Sequence, residues 1–241
     1  MLFDCLAEGR TTYRIGSKPV TLITGATGGI GTALARVLTD HELILTGRNS
    51  EKLEALCSSL PSSIPVILEL QAPETFAAAL ERFPHIDNLI HNAGVGELGS
   101  VETISLEVWR EILNVNLLAC VELTRVCLTR LRESRGQVLF VNSGAGLTAN
   151  ANWGAYAASK FALRAFADAL SAEETPNGIR VMTVYPGRTA TIMQEKVRAQ
   201  EHASYEPEKY IQPETLASTI KTMLETPRDS ILTQVVVNRA L

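Results

Sequence analysis

The chain has 241 residues, 46% of them hydrophobic, which is enough for one sizeable α/β domain. Its net charge of −4 gives no indication of a nucleic-acid-binding surface. No apolar stretch approaches the roughly 20 residues that cross a bilayer, and the N-terminus lacks the basic start of a signal peptide. The four cysteines lack metal-ligand spacing and are interpreted as thiols in a reducing compartment. We therefore expect a cytoplasmic protein without metal, membrane or nucleic-acid partners.

Apolar, β-branched runs alternate with helical patterns along the chain. The alternation predicts a parallel sheet with helices on both faces, in one domain over residues 19–241 that follows an N-terminal tail, residues 1–18. Strands are predicted at 19–24, 42–46, 65–69, 87–91, 137–142, 179–185 and 231–237. Helices are predicted at 29–39, 50–59, 73–82, 105–133, 153–174 and 213–225.

The first predicted strand leads directly into a glycine-rich turn and a helix. The turn reads Thr24-Gly-Ala-Thr-Gly-Gly-Ile-Gly31. In this context backbone N–H groups can approach a dinucleotide pyrophosphate at the helix N-terminus. A plain strand-to-helix turn is the alternative. The turn predicts cofactor contacts from Gly25, Thr27, Gly28, Gly29, Ile30 and Gly31.

The second predicted strand ends in Gly47-Arg48-Asn49. Sites that prefer NAD place an acid near this point to hold the ribose 2′-hydroxyl, whereas a 2′-phosphate calls for arginine. Gly47 provides no acid and Arg48 provides a cation, so we predict NADP(H) in preference to NAD(H). The alternative is that Arg48 is a solvated loop charge.

A literal G-x-G-x-x-G motif occurs at Gly94-Val-Gly-Glu-Leu-Gly99, after the strand predicted at 87–91. No helical pattern begins before about residue 105, so we do not interpret this motif as the phosphate-binding turn. Its small residues permit close approach of the backbone. We predict that it forms the wall beside the cofactor.

The helix predicted at 105–133 contains two asparagines, Asn114 and Asn116. An asparagine in such an apolar helix is a poor core residue unless it is hydrogen-bonded. Asn116 could bend the helix and bind a water that relays protons, whereas Asn114, only two residues away, faces elsewhere. A structural role for Asn116 fits the pattern equally well.

Ser143 follows the strand predicted at 137–142. In open α/β sheets, ligands bind in the crevice at the carboxyl ends of the strands. The Ser143 hydroxyl is therefore predicted to hydrogen-bond a substrate carbonyl, the alternative being a serine that serves the local turn.

Tyr156 and Lys160 lie four residues apart in a stretch rich in helix formers. Residues at this spacing share one face of a helix, so the ammonium would favour the phenolate form of Tyr156. This arrangement would make Tyr156 a usable general acid or base. Tyr205 and Lys209 have the same spacing, but Pro207 between them denies a regular helix interior, and we interpret that pair as chance.

Taken in order, these motifs resemble those of the short-chain dehydrogenase/reductase family over about residues 19–237. They comprise the turn at 24–31, His91-Asn-Ala-Gly94, Asn116, Ser143, Tyr156-x-x-x-Lys160 and Pro186-Gly187. The resemblance implies a Rossmann-like, doubly wound sheet of seven parallel strands flanked by helices. It also implies nicotinamide-dependent hydride transfer to or from a small-molecule carbonyl or alcohol, in a homodimer or homotetramer; with the Arg48 prediction, the cofactor would be NADP(H).

The resemblance also implies individual roles for the motif residues. Tyr156 would be the general acid in reduction and the base in oxidation, assisted by Lys160, which would also hold the nicotinamide ribose. Ser143 would orient the carbonyl and Asn116 would carry the relay water. Further cofactor contacts are implied for Leu70, Asn92, Ala93, Gly94, Pro186, Gly187, Thr189 and Thr191.

The sequence departs from the family pattern at three places. Glu69-Leu70 stands where an aspartate is common, and His91 replaces a frequent asparagine, which we interpret as structural. Thr189 stands where an apolar β-branched residue is usual. None of these changes removes a catalytic group.

The polar segment 190–212 is expected to cover the substrate. It has few large apolar residues to line a deep apolar pocket. Arg188, next to the nicotinamide end, could pair with a substrate carboxylate or be a surface arginine.

Other functions remain possible on the same fold. One is a non-catalytic dinucleotide-binding regulator or scaffold, against which the intact Ser143, Tyr156 and Lys160 argue. Nucleotide-sugar epimerases also use Tyr-x-x-x-Lys but resemble longer chains with a separate substrate domain. Apolar residues on the two long helices could contact a partner subunit as readily as the sheet: Leu117, Leu118, Val121, Phe161, Leu163 and Phe166.

Overall fold

The computed structural model describes residues 18–240. Apart from Lys18, the predicted N-terminal tail lies outside the described residues, and so does Cys5. Seven strands form one sheet: β1 Val20–Ile23, β2 Glu42–Gly47, β3 Ser63–Ile67, β4 Asn88–His91, β5 Gln137–Val141, β6 Arg180–Pro186 and β7 Gln234–Val237. All neighbouring strands are parallel, in the order β3-β2-β1-β4-β5-β6-β7. The predicted doubly wound parallel sheet is confirmed.

Within residues 18–240, eight α-helices connect or follow the strands. They are α1 Gly29–Val37, α2 Ser50–Ser58, α3 Phe76–Leu80, α4 Leu106–Leu113, α5 Ala119–Ser134, α6 Gly154–Glu174, α7 Ile192–Gln200 and α8 Pro213–Glu225. Successive strand residues point to opposite faces of the sheet. Leu22 accordingly packs in a cluster with residues of α3, α5 and α6, whereas Ile23 packs with residues of α1, α2 and α8. Both faces of the sheet are therefore covered.

The structure differs from the sequence expectations at two helical segments. The helix predicted at 105–133 is interrupted by a π-helical turn, Asn114–Leu118, which joins α4 to α5. The segment 190–212, for which no helix was predicted, contains α7. Its N-cap is Thr191, whose hydroxyl accepts a hydrogen bond from the Gln194 N–H at 3.2 Å. Only Gln194 and Val197 of α7 are buried, so the helix has almost no apolar periodicity to detect.

The long helical run Leu106–Ser134 passes a length-and-composition test for a membrane span, with a mean hydropathy of 1.5 over 18 residues. The expectation that no apolar stretch is long enough is therefore wrong by this measure. The core helix of a globular protein passes the same test, and 44% of the apolar window is buried inside the structure. Its buried side, including Leu123 and Cys127, packs with the sheet residue Phe140.

Five polar side chains form a hydrogen-bonded chain across the amino-terminal ends of five consecutive strands. Arg180 Nη2 donates to Gln137 Oε1 at 2.6 Å, and Gln137 Nε2 donates to Asn88 Oδ1 at 2.9 Å. Asn88 Nδ2 donates to Thr21 Oγ1 at 2.8 Å, and Thr21 Oγ1 shares a 2.7 Å hydrogen bond with His41 Nδ1. This hydrogen-bonded series lies at the amino-terminal edge of the sheet, opposite the edge at which the predicted functional residues lie.

Candidate active site

The predicted site residues follow the carboxyl ends of four strands. The glycine turn follows β1, Asn92 follows β4, Ser143 follows β5 and Gly187 follows β6. Because β1 pairs with both β2 and β4, the strand order reverses direction between β1 and β4. This is the position at which open α/β sheets form a crevice for ligands.

The glycine turn can be built only with glycine at two positions. Gly25 has a φ of +63°, and a Cβ there would lie 2.9 Å from Ala93 Cα. A Cβ at Gly31 would collide with the Gly25 carbonyl oxygen. Gly28 is the N-cap of α1 and provides no side-chain hydrogen bond to its first turn. The first N–H groups of α1 therefore have no side-chain cap and lie at a glycine-rich turn of the kind that accepts an anionic group.

Thr24 and Asn92 lock this turn to the end of β4. Thr24 Oγ1 accepts hydrogen bonds from the N–H groups of Asn92 and Ala93, each at 3.0 Å. Asn92 Nδ2 donates to the carbonyls of Thr24 at 2.9 Å and Gly25 at 3.2 Å. The Asn92 Oδ1 atom is buried and has no partner within residues 18–240. Two predicted cofactor residues, Asn92 and Ala93, are thus brought against a third, Gly25.

Asn116 lies in the π-helical turn and is fully buried. Its Oδ1 accepts from the Val95 N–H at 2.8 Å, and its Nδ2 donates to the Val95 carbonyl at 2.9 Å and to Ser159 Oγ at 3.0 Å. A Cβ at Gly94 would lie 3.3 Å from Asn116 Oδ1 and 3.7 Å from Lys160 Nζ. The Asn116 side chain therefore holds the predicted cofactor wall in place; its role in carrying a relay water stays a prediction.

Tyr156 and Lys160 occupy the first turns of α6 and are both buried. Lys160 Nζ lies 5.8 Å from the centroid of the Tyr156 ring and donates to the Val141 carbonyl at 3.2 Å. Asn142 Nδ2 donates to the Lys160 carbonyl at 3.1 Å, which ties α6 to the end of β5. Ser143, the next residue, accepts the Ala145 N–H on its Oγ at 3.1 Å. The structure thus anchors Lys160 at the end of the strand that Ser143 follows.

The segment after β6 returns to the glycine turn. A Cβ at Gly29 would lie 3.0 Å from Thr191 Cγ2, so Thr191 stands directly over the start of α1. Gly187 N–H donates to the Val237 carbonyl at 2.8 Å. Thr189 is buried and its hydroxyl donates to the Gly187 carbonyl at 3.1 Å. Thr191 therefore borders the candidate cofactor site, whereas the Thr189 hydroxyl is used locally.

Arg48 is exposed at the end of β2 and has no hydrogen-bond or ion-pair partner in the described part of the chain. A Cβ at the preceding Gly47 would lie 3.6 Å from Thr27 Oγ1, so the glycine turn passes beside this strand end. Leu70 is half-buried and packs against the core, while Glu69 Oε1 accepts the Gln71 N–H at 3.1 Å. Arg48 is thus available to an anion beside the turn.

A cavity of about 510 Å³ opens next to Trp153. It is lined by residues from three segments, 98–103, 151–153 and 200–202. The Trp153 ring contacts the Tyr156 ring edge-on at a centroid distance of 5.7 Å. Sequence reasoning did not identify Trp153, and it placed only the third segment, through the expectation for 190–212, near a substrate.

Arg188 is engaged by a side chain of the protein. Its two Nη atoms donate to Glu201 Oε2 at 2.8 Å and Oε1 at 2.6 Å. Arg198 Nη1 donates to the same carboxylate at 2.7 Å. These bonds, led by that from Arg188, hold the pKa of Glu201 below its usual range. Arg188, which was predicted to pair with a substrate carboxylate or to be a surface arginine, is therefore already paired with the Glu201 carboxylate.

Sequence comparison identifies relatives over most of the chain. A family model described as short chain dehydrogenase matches residues 19–202. The oxidoreductase YciK of Escherichia coli (strain K12) is 33% identical over 209 residues, which are 80% of this chain and 81% of YciK. Dehydrogenase/reductase SDR family member 7B of Mus musculus is 34% identical over 210 residues, 78% of this chain. The aligned residues make up 65% of the mouse protein, so this chain spans just under two thirds of it.

Solved structures that resemble this chain are also short-chain dehydrogenases or alcohol dehydrogenases. An alcohol dehydrogenase of the archaeon Thermococcus sibiricus, complexed with 5-hydroxy-NADP, superposes with a TM-score of 0.84 at 26% identity. The alignment covers 92% of this chain and 96% of that one. Two other short chain dehydrogenases, each 29% identical, were solved with NADPH and with NADP.

Proposed function

The chain belongs to the short-chain dehydrogenase family, and from this premise we propose that it is an NADP(H)-dependent oxidoreductase acting on a carbonyl or secondary alcohol. The observation that carries the proposal is the anchored pair at the end of β5. Lys160 Nζ is buried 5.8 Å from the ring centroid of Tyr156, on a helix held to the strand that precedes Ser143. Buried ammonium and phenol groups in a crevice are arranged for proton transfer.

The cofactor cradle supports dinucleotide binding. A Cβ at Gly25 or Gly31 would fill space where the turn packs tightly, and the first turn of α1 lacks a side-chain cap. We assign the pyrophosphate to this turn, the nicotinamide side to Thr191 and the nicotinamide ribose to Lys160. When bound, the dinucleotide supplies or accepts the hydride at the carbon that bears the oxygen.

The proton and the orientation come from the protein. Tyr156 gives its hydroxyl proton to the carbonyl oxygen in reduction and takes it from the alcohol in oxidation. The Lys160 ammonium stabilises the phenolate that remains. Because Ser143 Oγ already accepts the Ala145 N–H, its own hydrogen is available to donate to the substrate oxygen.

The preference for NADP(H) over NAD(H) rests on Arg48. It is an exposed cation at the end of β2, where dinucleotide-binding sheets meet the adenosine ribose. The NADP ligands of the Thermococcus sibiricus structure and of two other neighbours support this choice. A 2′-phosphate would give Arg48 a partner through charge-assisted hydrogen bonds.

The first experiment compares wild type with Tyr156→Phe. Both proteins are titrated with NADPH and with NADH by dihydronicotinamide fluorescence, and both are assayed against a panel of ketones and aldehydes. We expect NADPH to bind both proteins equally, with turnover lost in the variant by about 10²–10⁴-fold, the usual contribution of a general acid. Binding of NADPH without turnover of any carbonyl by wild type would favour the non-catalytic regulator instead.

We also propose a cytoplasmic homodimer or homotetramer. Of the six apolar residues considered for an interface, Leu163 is in the core, and Leu117 and Phe166 pack against it. Leu118 and Phe161 are 51% and 41% exposed and are the candidates for contact with a partner subunit. Light scattering of wild type and of Leu118→Asp tests this, since an interface residue changed to a carboxylate should lower the molar mass.

A further inference from the structure

The cavity beside Trp153 has a wall that is mostly polar. Six of the side chains that line it carry hydrogen-bonding groups: Ser100, Thr103, Asn152, Gln200, Glu201 and His202. Its apolar lining is a single large ring, Trp153, with the smaller Leu98 and Ala151. Because the Trp153 ring lines the cavity and contacts the Tyr156 ring, a molecule in this cavity lies one side chain away from the proposed proton donor.

We propose that this cavity receives a neutral, polyhydroxylated substrate, a sugar or cyclic polyol, or the corresponding ketone. This inference rests on the proposed function and names its substrate class. The C–H face of such a ring is apolar and packs against an aromatic surface such as that of Trp153. Its hydroxyl groups need hydrogen-bond partners once they leave water, and the polar wall provides them.

Several of these polar groups have no partner of their own. Gln200 Oε1 accepts the Leu98 N–H at 3.2 Å, but its Nε2 makes no hydrogen bond within the described residues. The side chains of Asn152 and His202 make none there either, and both residues are exposed at the mouth of the cavity. Amide and imidazole groups can donate and accept, which suits hydroxyl ligands.

The wall is also held in an unusual backbone conformation. Asn152 and His202 have φ angles of +66° and +54°, and they are two of the three non-glycine residues with positive φ in residues 18–240. Asparagine and histidine adopt a positive φ more readily than most residues, and His202 follows the end of α7, where its N–H donates to the Ala199 carbonyl at 3.1 Å. The Asn152 carbonyl accepts the Gly99 N–H at 2.9 Å, which joins two of the lining segments.

The charge of the wall argues against an anionic substrate. Glu201 lines the cavity, and its carboxylate is ionised because Arg188 and Arg198 donate to it. Neither arginine is among the lining residues. Because these two arginines balance the Glu201 charge, the wall offers a substrate carboxylate no unpaired cation, and a neutral ring needs none.

The test is a matched substrate panel assayed with NADP⁺ for alcohols and NADPH for ketones. Neutral aldoses and inositols are compared with uronic acids of the same stereochemistry and with cyclohexanol and cyclohexanone. We expect the best neutral polyhydroxylated substrate to exceed its acid counterpart and the unsubstituted ring by at least tenfold in kcat/KM. Higher kcat/KM for the acids or for the unsubstituted rings would overturn the proposal.

Two variants locate the effect in the cavity. Trp153→Ala should lower the ratio of kcat/KM for the polyhydroxylated substrate to that for cyclohexanone by at least tenfold. The matched control is Trp109→Phe, at the only other tryptophan of the chain, which should leave this ratio unchanged. Glu201→Gln should raise the ratio of acid to neutral turnover. An unchanged ratio in Trp153→Ala would contradict the proposed ring contact.

The outcome separates this inference from the proposed function. Cyclohexanone reduction that is abolished by Tyr156→Phe, without turnover of any neutral polyhydroxylated compound, would overturn the substrate class and leave the oxidoreductase standing. If wild type turns over none of the compounds, calorimetric titration of its NADPH complex with the same panel tests whether the cavity binds neutral rings. Binding of neutral rings that is lost in Trp153→Ala would support the site, and no binding would overturn it.

Discussion

The side chain of Asn116 forms a closed pair of hydrogen bonds with the backbone of Val95, 21 positions earlier in the chain. The Val95 N–H donates to Oδ1 at 2.8 Å and Nδ2 donates to the Val95 carbonyl at 2.9 Å. This mimics the pairing of neighbouring strands at a place where the chain has no strand. It fixes the loop that passes between Lys160 and the glycine turn.

Replacing Asn116 by Ala should destabilise the protein. Val95 would keep a part-buried N–H and carbonyl that have lost these partners, and each such loss costs about 1–3 kcal/mol when the group is shielded from water. We expect a fall of about 2–4 kcal/mol in the free energy of unfolding, measured by urea denaturation. Asn114→Ala, in the same π-helical turn, is the control, since its side chain makes no hydrogen bond in the described structure. Equal losses in the two variants would contradict this role.

Replacing Gly31 by Ala should remove dinucleotide binding. The added Cβ would collide with the Gly25 carbonyl, so the turn must move away from the start of α1. We expect at least a tenfold increase in the Kd for NADPH, together with a lower Tm. Gly154→Ala is the control, because a Cβ there would lie 3.7 Å from Trp109, an ordinary contact. NADPH binding by Gly31→Ala at wild-type affinity would show that the turn does not hold the phosphates.

Replacing Arg48 by Ala should change the choice of cofactor. A hydrogen bond to a charged group contributes about 1.5–3 kcal/mol, which corresponds to about 10–150-fold in Kd. We expect that loss for NADPH and almost no change for NADH in fluorescence titrations. Lys52→Ala, one turn into α2, controls for the loss of a nearby charge. If both cofactors weaken equally, Arg48 does not bind a 2′-phosphate.

His91 should make the protein less stable in acid. Its ring is fully buried, stacks on Phe140 at 4.9 Å and hydrogen-bonds Thr124 Oγ1 at 2.8 Å. Burial lowers the pKa of His91 to about 3, whereas the unfolded chain takes up the proton near pH 6.5. The stabilisation is therefore complete above about pH 6.5 and is lost as the pH falls toward 3, by about 1.4 kcal/mol per unit.

His91→Gln tests this assignment. Glutamine can keep a hydrogen bond to Thr124 but does not titrate, so the slope of unfolding free energy against pH between 4 and 6 should fall by about 1.4 kcal/mol per unit. Urea denaturation at several pH values measures it. Burial also lowers the pKa of His41, so some acid sensitivity should remain in the variant. A slope identical to that of wild type would show that His91 is not the titrating group.

The features that could be predicted from the sequence depend on residues close together in the chain. A glycine-rich turn after a strand, and a tyrosine and a lysine four apart on a helix, are local patterns, and the structure contains both. The parallel sheet with helices on both faces followed from alternation, whereas the doubly wound, seven-stranded order followed from the family resemblance. The boundary of the third strand was less accurate, because it was predicted at 65–69 and lies at Ser63–Ile67.

Other features depend on contacts between segments that are distant in the chain. The pairing of Arg188 with Glu201 joins residues 13 apart across a turn and a helix, and nothing in the sequence around Arg188 indicates it. The π-helical turn at Asn116 follows from bonds to Val95 and Ser159, which periodicity does not register. Trp153 became a candidate site residue only when the loops that surround it were placed.

The polar chain along the amino-terminal ends of the strands has a direction. Arg180 can only donate, so Gln137 must accept from it with its oxygen and donate onward with its nitrogen, and Asn88 must do the same. Asn88 Nδ2 donates to Thr21 Oγ1, which shares the next hydrogen bond with His41 Nδ1. The direction set by the guanidinium on β6 thus extends through Gln137 and Asn88 as far as Thr21 on β1, and the series ends at the imidazole of His41 beside β2. A slip of one strand by one residue turns its side chain to the other face and interrupts the series, so these hydrogen bonds depend on the alignment of all five strands.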